Sequence, residues 1–426
     1  MTNRLRDNGE KVIGVDEWVK EDRVHRRMYV DPEIFAAEME RVFECSWVFV
    51  GHESEVPRPG DFKTTFVGRQ PVIFSRHRDG QVYVLLNRCM HRGAVVCREE
   101  SGNTESLRCI YHGWTYNTRG DLMGVPYRMG YGEGFDQTAL GLRQAQVASY
   151  RGFVFARLAR QGESLGESLE EHLGKAKYYI DLVLDAAPEG EIDVQSGVQK
   201  YSYPGNWKLQ IENWVDGYHP PYTHETAFTI RDRKGGRGGS REGSGATARS
   251  FGRGHAVLDY TGTRTGWCTV APTYEGYVKT LTERLGPERA QEVLRRDVQL
   301  LVFPNLFFYK HMQHYRVVRP VAVDRTEVHA YPFRLRGAPD GLNDQMVQNL
   351  GLWASAAGFG QPDDIEAFVR CQEGLQVTGV EWLLFMRGLG RERVEPDGEI
   401  VGDVTDEVPQ RGIHRQVKRL LGSETP

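Results

Sequence analysis

Two short loops constrain this chain more than any other feature. Cys89-Met90-His91 is followed, with seventeen residues between His91 and Cys109, by Cys109-Ile110-Tyr111-His112. Each loop offers one thiol and one imidazole, which points to a metal. A Cys/His quartet often holds structural zinc, but zinc sites usually present a C-x-x-C knuckle or a closely spaced His pair. One Cys and one His per loop instead matches a [2Fe–2S] centre in which two His replace two Cys on one iron. Neutral imidazole carries less negative charge than thiolate, so such a centre has a raised reduction potential. The reading favours Cys89, His91, Cys109 and His112 as iron–sulfur ligands, with a zinc-stabilised binding module as the alternative.

The remaining composition excludes several classes. The chain has 426 residues, 54 Lys plus Arg and 58 Asp plus Glu, hence a net charge of −4. So even a balance gives no footprint for nucleic acid or an acidic membrane. No run of 18 or more apolar residues occurs, so no membrane span is expected. The first residues are polar, without the apolar core of a secretory signal. Six cysteines are too few for a disulfide scaffold. The expected location is the cytoplasm.

The length suits two or three domains. "VDPEIFAAEMERVFECSW" reads as a helix capped by Asp31 with Pro32 in its first turn. Short β-rich runs punctuated by Gly and Pro then follow as far as "YRGFVFARL". The expected division is an N-terminal helical segment (1–45), a small all-β domain with both Cys/His loops (46–158), and a larger α+β domain (159–426). In the last, an antiparallel sheet is expected from "QLLVFPNLFFY", "YRVVRPVAV" and "TEVHAYPFRL". "NWKLQIENWVDGYH" places Trp207, Ile211, Trp214, Val215 and Tyr218 on one helical face. Residues 234–254 are Gly-rich and read as a mobile loop, a lid or a linker, with Arg237, Arg241, Arg249, Arg253 and nearby Arg233 as a solvated charge run. The last long helix is expected to begin near Pro362.

A second constellation lies in "ENWVDGYHPPYTH". His219 and His224 are five apart, about 140° around an ideal helix. Pro220 and Pro221 cannot continue the helix, so His219 is expected to end it. His224 then follows a turn, which lets the two imidazoles converge on one ion. Asp216 and Glu212 are expected on the face carrying His219, where a carboxylate can orient its ring. The plain alternative is a polar helix end.

The first constellation is the Rieske pattern. Its flanks, "HRG" and "HGWTYNTRGDLMGVP", resemble the Rieske domains of aromatic-ring-hydroxylating oxygenases. Respiratory Rieske proteins add a further Cys to each loop; here only Cys97 follows, and it reads as a packing residue. "DGYHPPYTH" resembles the mononuclear iron site of the same family. The resemblance runs from about residue 27 to 420 and identifies the chain as resembling the large (α) subunit. "NWKLQIENWVDGYH", "RPVAVDRTEV" and "PDDIEAFVRCQEG" look closest to the benzoate and anthranilate dioxygenase branch.

Several expectations follow from this resemblance. The larger domain takes a helix-grip, START-like form, with the N-terminal segment packed on it. His219, His224 and a distant carboxylate bind Fe(II), leaving positions open for O₂. The family pattern puts that carboxylate at Asp364, with Asp363 as runner-up, although acidic residues at a helix start are favoured by the dipole alone. Subunits form a homotrimer, with or without a small β subunit. Asp216 bridges His112 of one subunit and His219 of the next. A separate reductase supplies electrons from NAD(P)H, directly or through a ferredoxin. The reaction is cis-dihydroxylation of an aromatic ring, with an aromatic carboxylate as the expected substrate. An aromatic amine, a neutral arene, monooxygenation and demethylation are alternatives within the family, and a pure electron carrier is one outside it. Asn213 and Trp214 are expected near the pocket, and Lys310, Arg316 and Arg319 are candidate cations for a substrate carboxylate.

Overall fold

The computed structural model describes residues 14–158, 166–233, 242–261 and 270–422. The chain divides into two compact units, residues 43–169 and residues 1–42 with 170–426.

The unit 43–169 is built from three small antiparallel sheets. One orders Val82–Leu86, Gln70–Arg76, Asp61–Val67 and Ser101–Asn103 side by side. A second orders Gln146–Tyr150, Phe153–Arg157 and Val48–His52; the third is the meander Ser106–Arg108, Thr115–Asn117, Leu122–Gly124. Cys89 follows the end of the strand Val82–Leu86, and Cys109 opens the turn of the meander's first hairpin. Phe62, Ile73, Leu85, Leu107 and Tyr116 pack beneath both loops with the two thiols.

The other unit is organised by a nine-stranded antiparallel sheet. Its order is Gln199–Tyr203, Arg325–Pro332, His314–Ala322, Leu306–Tyr309, Val298–Val302, Ala256–Asp259, Thr247–Ser250, Ile400–Asp403 and Arg393–Val394. Thr247–Ser250 corrects the reading of 234–254 as one loop. Those four residues alternate toward the interior and pair on both sides, with Ala256–Asp259 and Ile400–Asp403. The glycines around them masked the strand. Residues 234–241, including Arg237 and Arg241, lie outside the described residues.

The helix Trp207–Trp214 packs against the strands Val298–Val302 and His314–Ala322. Asn206 caps its start, its side chain accepting from the Lys208 N–H. The helix ends four residues earlier than the apolar pattern implies. Gly217 lies so close to the carbonyl oxygen of Val404 that a Cβ would collide with it. Tyr218 therefore leaves the stripe and is exposed, while Trp207, Ile211 and Trp214 are buried. Gln410 donates to the carbonyls of Glu212 and Val215 at 3.1 and 3.3 Å, satisfying groups that the helix end exposes.

The N-terminal helix Pro32–Glu38 begins as its sequence dictates, with Asp31 accepting from the Glu33 N–H. It delivers Glu38 to Lys208 at 2.6 Å, both side chains fully buried, and Trp207 Nε1 donates to the same carboxylate at 2.8 Å. The helix from Gln361 to Gly374 is not the last. "VPQRGIHRQVKRLLG" forms Val408–Gly422, which lies against Thr247–Ser250 and Trp207–Trp214. Its charged residues hid a buried face that includes Ile413, Val417 and Leu421.

Candidate metal centres

The two Cys/His loops are copies of one turn. The Cys89 N–H donates to the Ala94 carbonyl at 2.8 Å and the Gly93 N–H to the Cys89 carbonyl at 3.0 Å. The Cys109 N–H donates to the Trp114 carbonyl at 2.8 Å and the Gly113 N–H to the Cys109 carbonyl at 3.0 Å. Gly93 and Gly113 have φ of 76° and 72°, a region that favours glycine. The histidines occupy unequal positions in these equal turns, one residue after Met90 in the first and two after Ile110 in the second.

Both thiols are buried, and the rings of His91 and His112 meet at 4.6 Å between centroids. Trp114 stacks on His91 at 5.0 Å, nearly parallel at 8°. His91 Nδ1 is buried without a hydrogen-bond partner, a lone pair or N–H that a bound group would satisfy. Tyr116 Oη lies 3.3 Å from the Cys89 sulfur and accepts the Met90 N–H at 3.1 Å. Cys97 is also buried; burial and the neighbouring Glu99 push its thiol up to about 11, which makes it an inert packing group.

In the other unit, His219, His224 and Asp364 each turn one ligand atom inward, all within 4.8 Å of one another. Among the described residues this is the one set of three or more ligand atoms so gathered.

The local chain explains the triad. His219 does not end the long helix, as the prolines had implied. It precedes a separate helical turn, Pro220–Thr223, and His224 caps that turn's other end. The two rings lie 5.5 Å apart between centroids. Nε2 of His219 lies 3.5 Å and Nε2 of His224 3.3 Å from Asp364 Oδ1. Asp364 is in the first turn of Gln361–Gly374. Burial alone would raise its pKa; hydrogen bonding to His224 and the charge of both imidazoles outweigh that and hold it low.

The outer ring nitrogens face other carboxylates. His224 Nδ1 meets Asp363 Oδ2 at 3.3 Å. His219 Nδ1 is 3.6 Å from Asp216 Oδ2, too far for a hydrogen bond, and has no other partner. Asp216 Oδ1 accepts the N–H groups of Tyr218 and His219. Glu212 does not join them. It accepts from Tyr29 Oη at 2.7 Å and pairs with His414 of Val408–Gly422 at 3.0 Å, while Asp216, past the helix end, leaves the helical register that would have put the two on one face.

Asn213 reaches the triad, its amide 3.3 Å from His219 Nε2 and 3.2 Å from Asp364 Oδ1. Trp214 is buried, packed on Phe307, Tyr309 and His314, with Nε1 donating to the Leu300 carbonyl. Of the loop arginines, Arg249 pairs with Glu399 at 3.4 Å. Tyr116, Trp114 and the two turn glycines escaped the reading of the sequence. The spacing Cys-x-x-x-Gly, present in both loops, was the available signal.

Residues 46–144 match the Rieske [2Fe-2S] domain, and residues 181–423 match the ring hydroxylating alpha subunit (catalytic domain). The chain is 36% identical to the anthranilate 1,2-dioxygenase large subunit of Acinetobacter baylyi, over 86% of this chain and 80% of that one. It is likewise 36% identical to the 2-halobenzoate 1,2-dioxygenase large subunit of Burkholderia cepacia, with the same coverage. Naphthalene 1,2-dioxygenase from Rhodococcus sp. bound to indole superposes with a TM-score of 0.83 at 29% identity, over 95% of each chain. No helix among the described residues is long and apolar enough to cross a membrane. The chain belongs to the aromatic-ring-hydroxylating dioxygenase α-subunit family, Rieske oxygenases that carry a [2Fe–2S] cluster and a mononuclear non-heme iron.

Proposed function

We propose that this chain is the terminal oxygenase component that dihydroxylates the ring of an aromatic carboxylate. The observation that carries the reading is the convergence of His219, His224 and Asp364 in a chain with Rieske loops. The substrate class rests on relatives whose names carry anthranilate and 2-halobenzoate, both ring carboxylates.

Cys89, His91, Cys109 and His112 hold the cluster in this reading, and the triad holds iron. Two histidines and one carboxylate are a donor set suited to non-heme Fe(II). When bound, the two groups supply single-electron delivery and the activation of O₂. The protein supplies orientation. Asp363 fixes the ring of His224 from behind, and Asn213 adds an amide at the triad. The two backbone bonds on Asp216 Oδ1 leave Oδ2 facing His219 Nδ1 at 3.6 Å, from where a small shift would make the hydrogen bond that orients the ring. In an assembled homotrimer, with or without a β subunit, the same carboxylate accepts from His112 of a neighbouring subunit. Electrons come from NAD(P)H through a separate reductase, directly or through a ferredoxin, in the cytoplasm.

The test is turnover of iron-loaded protein with a reductase, NADH and a panel of aromatic acids, amines and arenes. A cis-diol from an acid is expected. Reduction of the cluster with no ring oxidised anywhere in the panel would sink the reading.

A further inference from the structure

The catalytic unit buries a cation that no carboxylate among the described residues pairs with. Two of the three candidate cations are accounted for locally. Lys310 donates to the carbonyls of Val293 and Arg296, at the end of the helix Pro287–Arg295. Arg319 pairs with Glu327 at 2.8 Å.

Arg316 differs. It is 4% exposed, and all its hydrogen bonds go to neutral acceptors. Nε donates to His314 Nε2 at 3.2 Å, Nη1 to Tyr201 Oη at 3.3 Å and to Gln361 Oε1, and Nη2 to the Ala354 carbonyl at 3.0 Å. One hydrogen of Nη2 is left over. No described carboxylate pairs with it, yet a guanidinium stays charged in proteins. A buried charge without a counter-charge is costly.

Its position ties it to the triad. The guanidinium lies over the ring of Trp214, 4.9 Å from the centroid. Trp214 adjoins Asn213, whose amide touches His219 and Asp364. Gln361 is three residues before Asp364 on one helix. The half-buried Tyr201 hydroxyl, pushed up to about 12 by desolvation, is under the opposing charges of Arg316 and Asp364.

We propose that Arg316 is the anchor for the carboxylate of the substrate, the anion that completes its charge balance. The inference rests on the oxygenase reading above and deepens it. Four donors of the planar fork are held by neutral acceptors, and the remaining Nη2 hydrogen is the one offered to a carboxylate oxygen in a charge-assisted bond.

The experiment is anaerobic calorimetric titration of the iron-loaded holoenzyme with benzoate and with benzamide, which have nearly the same shape but differ in charge. The wild type is expected to bind benzoate about 10- to 100-fold more tightly. Arg316→Gln is expected to lose that preference and keep its benzamide affinity and its iron per subunit. A preference that survives in Arg316→Gln overturns the proposal, as does a wild type without one. Loss of the mononuclear iron with equal loss of both ligands overturns it too, by assigning Arg316 to holding Gln361–Gly374 in place. If the Gln variant does not fold, Arg316→Lys carries the comparison. A point charge lacks the fork, so benzoate should weaken more than benzamide, and equal weakening counts against the anchor. Failure of the underlying reading looks different: the wild type oxidises no ring when a reductase is supplied.

Discussion

Asp363 stands behind His224, its Oδ2 3.3 Å from the ring nitrogen turned away from the triad. Adjacent aspartates thus face opposite ends of one imidazole, Asp364 at Nε2 and Asp363 at Nδ1. Removing the two should have unequal effects. Asp364→Ala should empty the mononuclear site. Asp363→Ala should weaken iron binding by about 10- to 100-fold while leaving all three inward atoms in place. Iron per subunit across a range of added Fe(II) measures both. Equal losses would remove the distinction between them.

Asp216→Asn keeps an acceptor oxygen and removes the charge. It should leave both irons bound and lower turnover by about 10- to 100-fold. Unchanged turnover, with the Rieske absorbance and iron content as controls, would rule out the bridging role.

Tyr116→Phe removes the hydroxyl beside the Cys89 sulfur. A hydrogen bond to a thiolate favours the reduced, more negative cluster, so its loss should lower the potential. A bond worth about 1 kcal/mol corresponds to a shift on the order of 40 mV for one electron. Redox titration of the Rieske signal reads the shift, and an unmoved potential means the hydroxyl serves only the Met90 N–H.

Lys208→Met leaves Glu38 buried with Trp207 Nε1 as its remaining side-chain partner. The unfolding free energy should fall by about 3–5 kcal/mol, as when one partner of a buried pair is removed. Replacing Glu38 by Gln at the same time should recover part of the loss, because no unpaired charge remains. Denaturant midpoints of the two variants measure this.

Legibility in the sequence followed the range of the forces involved. Asp31, Pro32 and Asn206 act on their own helix termini, so helix starts could be read directly. The Cys/His loops and "DGYHPPYTH" are short enough for spacing to carry chemistry. What escaped depended on distant chain. Gly217 has to be a glycine because Val404 crowds it, and nothing near Gly217 says so. Thr247–Ser250 is a strand because Ile400–Asp403 pairs with it from 150 residues away. Asp363 and Asp364 are chemically identical neighbours; only the ring between them tells which side each takes. Lys208 is buried because Glu38, from another helix, meets its ammonium, and nothing in its own helix says so.

The matched turns around Cys89 and Cys109 bear on assembly of the cluster. Each is closed by the chain's own backbone bonds and by a glycine, with no contribution from a ligand atom. The loops thus have a support besides ligation, unlike a zinc finger, where ligation drives folding. Loss of the cluster should bleach this protein without melting it, leaving a folded domain that can be refilled.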